Sequence, residues 1–110
     1  MKFYGLKTCD TCRKALKMLQ EKGMQPEVVD VRADGVPPEE LARFLTAFGE
    51  NLINRRSTTW RGLSEAERAG APADLLAAHP TLMKRPVIEA EGALYLGWGP
   101  DVRAALLAEG

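Results

Sequence analysis

The 110 residues carry 45% hydrophobic and 27% charged side chains, a balance that excludes a disordered, collagen-like or fibrous chain and leaves one globular domain, residues 1–110, as the expectation. At this length roughly two thirds of the surface exposed by the unfolded chain is buried on folding, so a core can form without metal or disulfide staples. Fifteen Lys and Arg balance fifteen Asp and Glu, so no net field draws the chain to nucleic acid or an anionic membrane, and any basic site must be local.

The opening Met1-Lys2-Phe3-Tyr4-Gly5-Leu6-Lys7 is too short for a signal-peptide core, and no later run approaches the roughly 18 apolar residues of a membrane helix; a cytoplasmic protein is expected. In a reducing compartment the two cysteines, Cys9 and Cys12, are suited to catalysis, redox sensing or metal binding rather than to a structural bridge.

Residues 2–6 suit a short strand that ends just ahead of the cysteines. The period then changes: Cys12, Ala15, Leu16 and Leu19 share one helical face, Arg13, Lys14, Lys17 and Lys22 take the other, and Gly23 closes the helix. The β-branched residues of Pro26-Glu-Val-Val-Asp-Val31 favour a second strand. Pro37-Pro38-Glu39-Glu40 starts a helix whose apolar face is Leu41, Phe44, Leu45 and Phe48, before Gly49.

Residues 50–83 contain no strand-like run. Ser64-Glu65-Ala66-Glu67 has the form of a capped helix start, and Ala73 to Ala78 reads helical until His79-Pro80. Pro86-Val-Ile-Glu89 and Ala93-Leu-Tyr-Leu96, joined through Ala-Glu-Gly, predict a hairpin, and Asp101 to Ala108 a closing helix. The expected order is β-α-β, a helical block, then β-β-α, without repeats or linkers.

A cysteine at a strand-to-helix turn faces the unpaired amides and partial positive charge of the helix N-terminus, which favour thiolate over thiol. Cys9 occupies that place. Cys12, one turn into the apolar face, is shielded and placed to resolve a mixed disulfide formed on Cys9. Two small buried residues in a core are the plainer alternative, weakened by the polar Lys7 and Thr8 beside them; a zinc site would need ligands that His79 alone cannot supply. Lys7, Arg13, Lys14, Arg55, Arg56, Arg61, Lys84 and Arg85 could build a positive mouth, with Lys14 and Arg61 better read as solvated and Arg85 as functional. Trp60 and Trp98 fit a peptide groove or a core edge equally. His79, at a helix end, is read as structural, its imidazole bonding the last carbonyls.

Three segments, Tyr4 to Ala15 around the cysteines, Asn54-Arg-Arg-Ser-Thr-Thr-Trp60, and His79 to Pro86, resemble in order and spacing the signatures of the ArsC family, which holds glutaredoxin-coupled arsenate reductases, Spx regulators and reductase-like relatives. The resemblance implies an α/β, thioredoxin-like, four-stranded mixed sheet flanked by helices, with a helical insertion at about 38–83 between the β-α-β and β-β-α halves. It implies Cys9 as nucleophile, Arg85 as an anion-binding arginine before a cis-proline at Pro86, Arg13 as the arginine after the active loop, and Arg55 or Arg56 as a further oxyanion ligand. Where arsenate reductases carry another arginine after the last strand, this chain has Gly97, which counts against arsenate and groups the chain with the reductase-like and Spx branches. Cys12 likewise has its counterpart in Spx proteins.

The expected function is therefore a thiol-disulfide reductase with no metal and no bound cofactor, using glutathione as reducing co-substrate or partnered by glutaredoxin or thioredoxin. The alternative is an Spx-like redox-sensing regulator that docks on RNA polymerase through protein contacts. Against it stand a chain ending soon after its last helix and a neutral charge that gives no direct nucleic-acid footprint.

Overall fold

The computed structural model describes residues 1–107, so Ala108 of the expected closing helix lies outside the described residues. The backbone forms two compact units: Met1–Asp30 together with the segment from Arg85 onward, and Val31–Lys84. The helical insertion expected at 38–83 makes up most of the second.

In the first unit, β1 (Lys2–Gly5) leads into α1 (Asp10–Glu21) and β2 (Glu27–Asp30), and the chain returns through β3 (Val87–Ala90), β4 (Ala93–Leu96) and α6 (Pro100–Leu107). The sheet order is β2-β1-β3-β4. β1 runs parallel to β2, with Phe3 opposite Val28, and antiparallel to β3, with Phe3 opposite Ile88. This mixed four-stranded sheet flanked by helices is the thioredoxin-like arrangement. Alternation along the strands sends Phe3 and Ile88 to one face, where they join Cys12, Ala15 and Leu19 of α1 and Leu106 of α6 in a buried cluster. The turn between β1 and α1 is thus anchored by apolar packing of the strand before it and the helix after it.

The hairpin differs from expectation by one residue. Ala90 pairs with Ala93, so the connection is Glu91-Gly92 alone rather than Ala-Glu-Gly. Both turn residues have positive φ, 51° and 82°, the two-residue geometry whose twist matches that of the flanking strands.

Val31–Lys84 is built from α2 (Pro38–Phe48), a 3₁₀ turn (Gly49–Leu52), three short helices, α3 (Thr58–Arg61), α4 (Glu65–Arg68) and α5 (Pro72–Ala78), and a second 3₁₀ turn (Pro80–Leu82). Proline stands at the start of both α2 and α5, where its missing N–H costs nothing. α2 packs against α5, with Leu41, Phe44, Leu75 and Leu76 buried. Sequence periodicity does not foresee α3, which has a single turn and no apolar repeat. It is set by Ser57, whose hydroxyl accepts from the Trp60 N–H at 3.1 Å.

The helical reading of 50–83 also misses a single β-bridge between Ile53 and Met83. Asn54 N–H donates to the Leu82 carbonyl at 2.8 Å and Lys84 N–H to the Leu52 carbonyl at 2.7 Å, which zips the two loop segments together. Among the described residues no helix is long and apolar enough to cross a membrane, and no group of three or more His, Cys, Asp or Glu could hold a metal ion.

Candidate active site

Cys9 is the N-cap of α1, in extended backbone conformation, directly after the turn that leaves β1. Its backbone is fixed on both sides: the Cys9 N–H donates to the Leu6 carbonyl at 3.2 Å, and the Cys9 carbonyl accepts from the Arg13 N–H at 3.0 Å. The side chain is half-buried, whereas Cys12, one turn on, is buried in the apolar cluster; both are free thiols.

A close approach between strand and helix makes this possible. A Cβ on Gly5 would lie 2.7 Å from Cys12 Sγ and 3.0 Å from the Phe3 ring, so only glycine at the end of β1 lets the helix bring its second thiol down onto the strand. The sequence reading missed Gly5, although a glycine inside a strand run is a signal of close backbone approach.

The two thiols have opposite electrostatics. Partial burial works against ionisation of Cys9, but the backbone N–H and thiol of Cys12 and the guanidinium of Arg85 all face its sulfur, and together they hold the thiol below its ordinary range. Burial pushes Cys12 the other way, up to about 11, with the facing Cys9 sulfur adding to the shift. A thiolate on Cys9 beside a protonated Cys12 is the favoured pairing.

Arg85 reaches Cys9 from the start of β3. The Arg85-Pro86 peptide bond is cis, and the buried Pro86 uses its carbonyl to accept from the Gly97 N–H at 2.8 Å, tying the arginine's loop to the end of β4. Gly97 itself offers no side-chain cation there. Arg13 points elsewhere: its guanidinium forms an exposed ion pair with Asp10 within the first turn of α1, which also holds the Asp10 carboxyl below its usual range. Trp98 seals an edge of the core rather than standing free, its indole N–H donating to Met18 Sδ at 3.4 Å.

Arg55 and Arg56 converge with Lys84 on a polar cleft of about 410 Å³ inside the second unit, lined also by Glu50, Asn51, Ile53 and Asn54. The zipped segments around Ile53 and Met83 build it. Asn54 shapes the turn by accepting from the Arg56 N–H at 3.1 Å through its side chain. Arg55 is steered by Glu50 at 3.2 Å and stacks over Trp60 at 5.4 Å from the ring centre, with Arg68 at the same distance from that ring. Arg68 also donates to the Trp60 and Arg61 carbonyls, so Trp60 serves as a stacking platform. The His79 imidazole lies 3.8 Å from the Glu67 carboxylate instead of bonding the last carbonyls of α5, because the Ser64–Glu67 cap holds that carboxylate nearby.

The chain matches the ArsC family from residue 4 to residue 106. It belongs to the ArsC family. An uncharacterised protein of Haemophilus influenzae is 40% identical over 110 residues, covering 96% of each chain. The uncharacterised protein YfgD of Escherichia coli is 28% identical, covering 92% of this chain and 91% of its own. Among solved structures, the YFFB protein superposes with a TM-score of 0.87 at 37% identity, covering 96% of both chains. An arsenate reductase-related ArsC protein from Brucella melitensis gives a TM-score of 0.72, also at 37% identity, over 96% of this chain and 93% of its own.

Proposed function

We propose that this ArsC-family chain is a thiol-disulfide reductase of a reducing cytoplasm, with Cys9 as nucleophile. The observation that carries the reading is the split between the two thiols: Cys9 held below its ordinary range beside Arg85, Cys12 pushed up to about 11. The Cys9 thiolate attacks one sulfur of a disulfide R–S–S–R′, forming a Cys9–S–S–R bond and releasing R′–S⁻, whose developing charge the Arg85 guanidinium is placed to stabilise. Once Cys9 is neutral in the mixed disulfide, its charge no longer disfavours ionisation of Cys12. Cys12 then loses its proton to solvent and displaces R–S⁻, leaving a Cys9–Cys12 disulfide. The substrate has gained two electrons and the protein has lost two, which two glutathione molecules or a glutaredoxin- or thioredoxin-type dithiol restore. Within the second unit, taken by itself, the cleft of Arg55, Arg56 and Lys84 carries cations suited to a carboxylate. No bound cofactor enters the cycle. Arsenate is the weaker candidate substrate, because Gly97 leaves the oxyanion one arginine short of the arsenate reductase pattern.

Intact-mass analysis of the reduced protein after exposure to oxidised glutathione tests the reading. The expected product is a glutathione adduct on Cys9 that resolves to a Cys9–Cys12 disulfide, accumulates in Cys12→Ser and is absent from Cys9→Ser. Full disulfide reductase activity in Cys9→Ser, or no modification of the parent protein, overturns it. The same thiol pair also suits an Spx-like switch; oxidation-dependent capture of RNA polymerase, without reductase turnover, would favour that reading.

A further inference from the structure

We propose that a second cleft, on the helix-bearing face of the sheet beside β2, is a binding site for a small amphipathic anion: an apolar aliphatic or aryl body carrying one carboxylate or sulfonate. The cleft has a volume of about 270 Å³ and lies wholly within the first unit. That is slightly under the roughly 300 Å³ at which small-molecule sites usually begin, so the occupant is smaller than a drug-sized ligand.

Sheet order creates the cleft. β2 is an edge strand, and α1 packs over β1 and β3 through Cys12, Ala15 and Leu19, so the apolar residue that β2 sends to the same face is left uncovered. That residue is Val28, which pairs with the buried Phe3 and is itself 42% exposed. Leu16, next along the α1 face, forms the opposite wall above Phe3. An unfilled apolar slot of this kind gains free energy from any apolar body that displaces its water.

The two ends of the slot are chemically unlike. Towards the C-terminal end of β1 and the first turn of α1, the lining becomes Leu6 and Cys12, with Lys7 and Arg13 at the rim. Arg13 is already paired with Asp10, whereas exposed Lys7 forms no ion pair among the described residues. A ligand lying with its apolar body between Leu16 and Val28 and its acid towards Lys7 satisfies both ends. It would rest against the wall formed by Cys12. Neither Cys9 nor Arg85 lines this cleft, so binding does not need the nucleophile, although the resolving thiol Cys12 forms part of the wall.

The test is a methyl NMR titration of the full-length chain with 4-phenylbutyrate and with its uncharged counterpart 4-phenylbutan-1-ol. The expected result is saturable shifts at the Leu6, Leu16 and Val28 methyls, with the acid binding about tenfold more tightly than the alcohol. Lys7→Gln should bring the acid down to the level of the alcohol. Val28→Trp, at an exposed strand position that tolerates an aromatic residue, should fill the slot and block both, with remote amide signals unchanged to show that the fold is kept. Cys9→Ser should bind the acid like the parent chain. Absence of shifts at these methyls, equal binding of acid and alcohol, or insensitivity to Val28→Trp overturns the proposal.

Discussion

Cys9 and Arg85 are far apart in the chain, yet one half-buried sulfur and one guanidinium meet at the start of α1. If Arg85 helps to hold the Cys9 thiol below its ordinary range, replacing it must raise the pH at which the thiolate forms. In Arg85→Ala the pH profile of iodoacetamide alkylation at Cys9 should shift upward relative to the parent. The Cys12→Ala profile should also move upward, because the thiol that donates to Cys9 is lost. An unchanged profile in Arg85→Ala would remove the arginine from the activation of Cys9. The cysteine pair was legible in the sequence because its chemistry follows from local spacing at a strand-to-helix turn. Gly5 was not, because the contact that requires glycine lies across two elements, against Cys12 Sγ at 2.7 Å from any added Cβ.

Short elements in Val31–Lys84 rely on end groups more than on length. The four residues of α4 are held by a reciprocal cap: Ser64 Oγ accepts from the Glu67 N–H at 3.1 Å, and the Glu67 carboxylate accepts from the Ser64 N–H at 2.9 Å. These bonds, with the backbone N–H of Ser64 first and the His79 imidazole further down, hold the Glu67 carboxyl below its usual range. A depressed carboxyl stabilises the fold above its unfolded pKa and loses that contribution as the pH falls through its folded value. Ser64→Ala, which removes the hydroxyl that caps the Glu67 N–H, should lower unfolding stability by about 1 kcal/mol. Urea titrations of the parent and of Glu67→Gln, repeated towards acid pH, should converge as Glu67 protonates; a constant gap would mean that the carboxylate has no part in the cap. The capping pattern was readable because it spans four adjacent residues. α3 and the Ile53–Met83 bridge were not, since one is too short for a period and the other pairs residues distant in sequence.

At the scale of the molecule, the succession of strands and helices along the chain and the helical block were readable because proline, glycine and β-branched runs punctuate the chain at most of the element ends. The pairings of single cations were not, because Arg13 turns to Asp10, and Arg55 to Glu50 and the Trp60 ring, through contacts that spacing alone does not reveal. The order of strands in the sheet also bears on colloidal behaviour. β2 is hydrogen-bonded on one side only, and its Glu-Val-Val-Asp sequence sets two valines between carboxylates. With formal net charge +0 and a pI near 6.6, long-range repulsion between molecules is weak at neutral pH, so solubility falls to charges placed locally. Glu27 is such a gatekeeper: four residues of strand and one exposed carboxylate discourage another chain from adding to the sheet. Glu27→Val would create three consecutive valines at that edge, and light scattering near the pI should then show concentration-dependent association absent from the parent. On this argument the acid that begins β2 is what a chain without overall charge uses against polymerising through its own sheet, and the scattering comparison decides it.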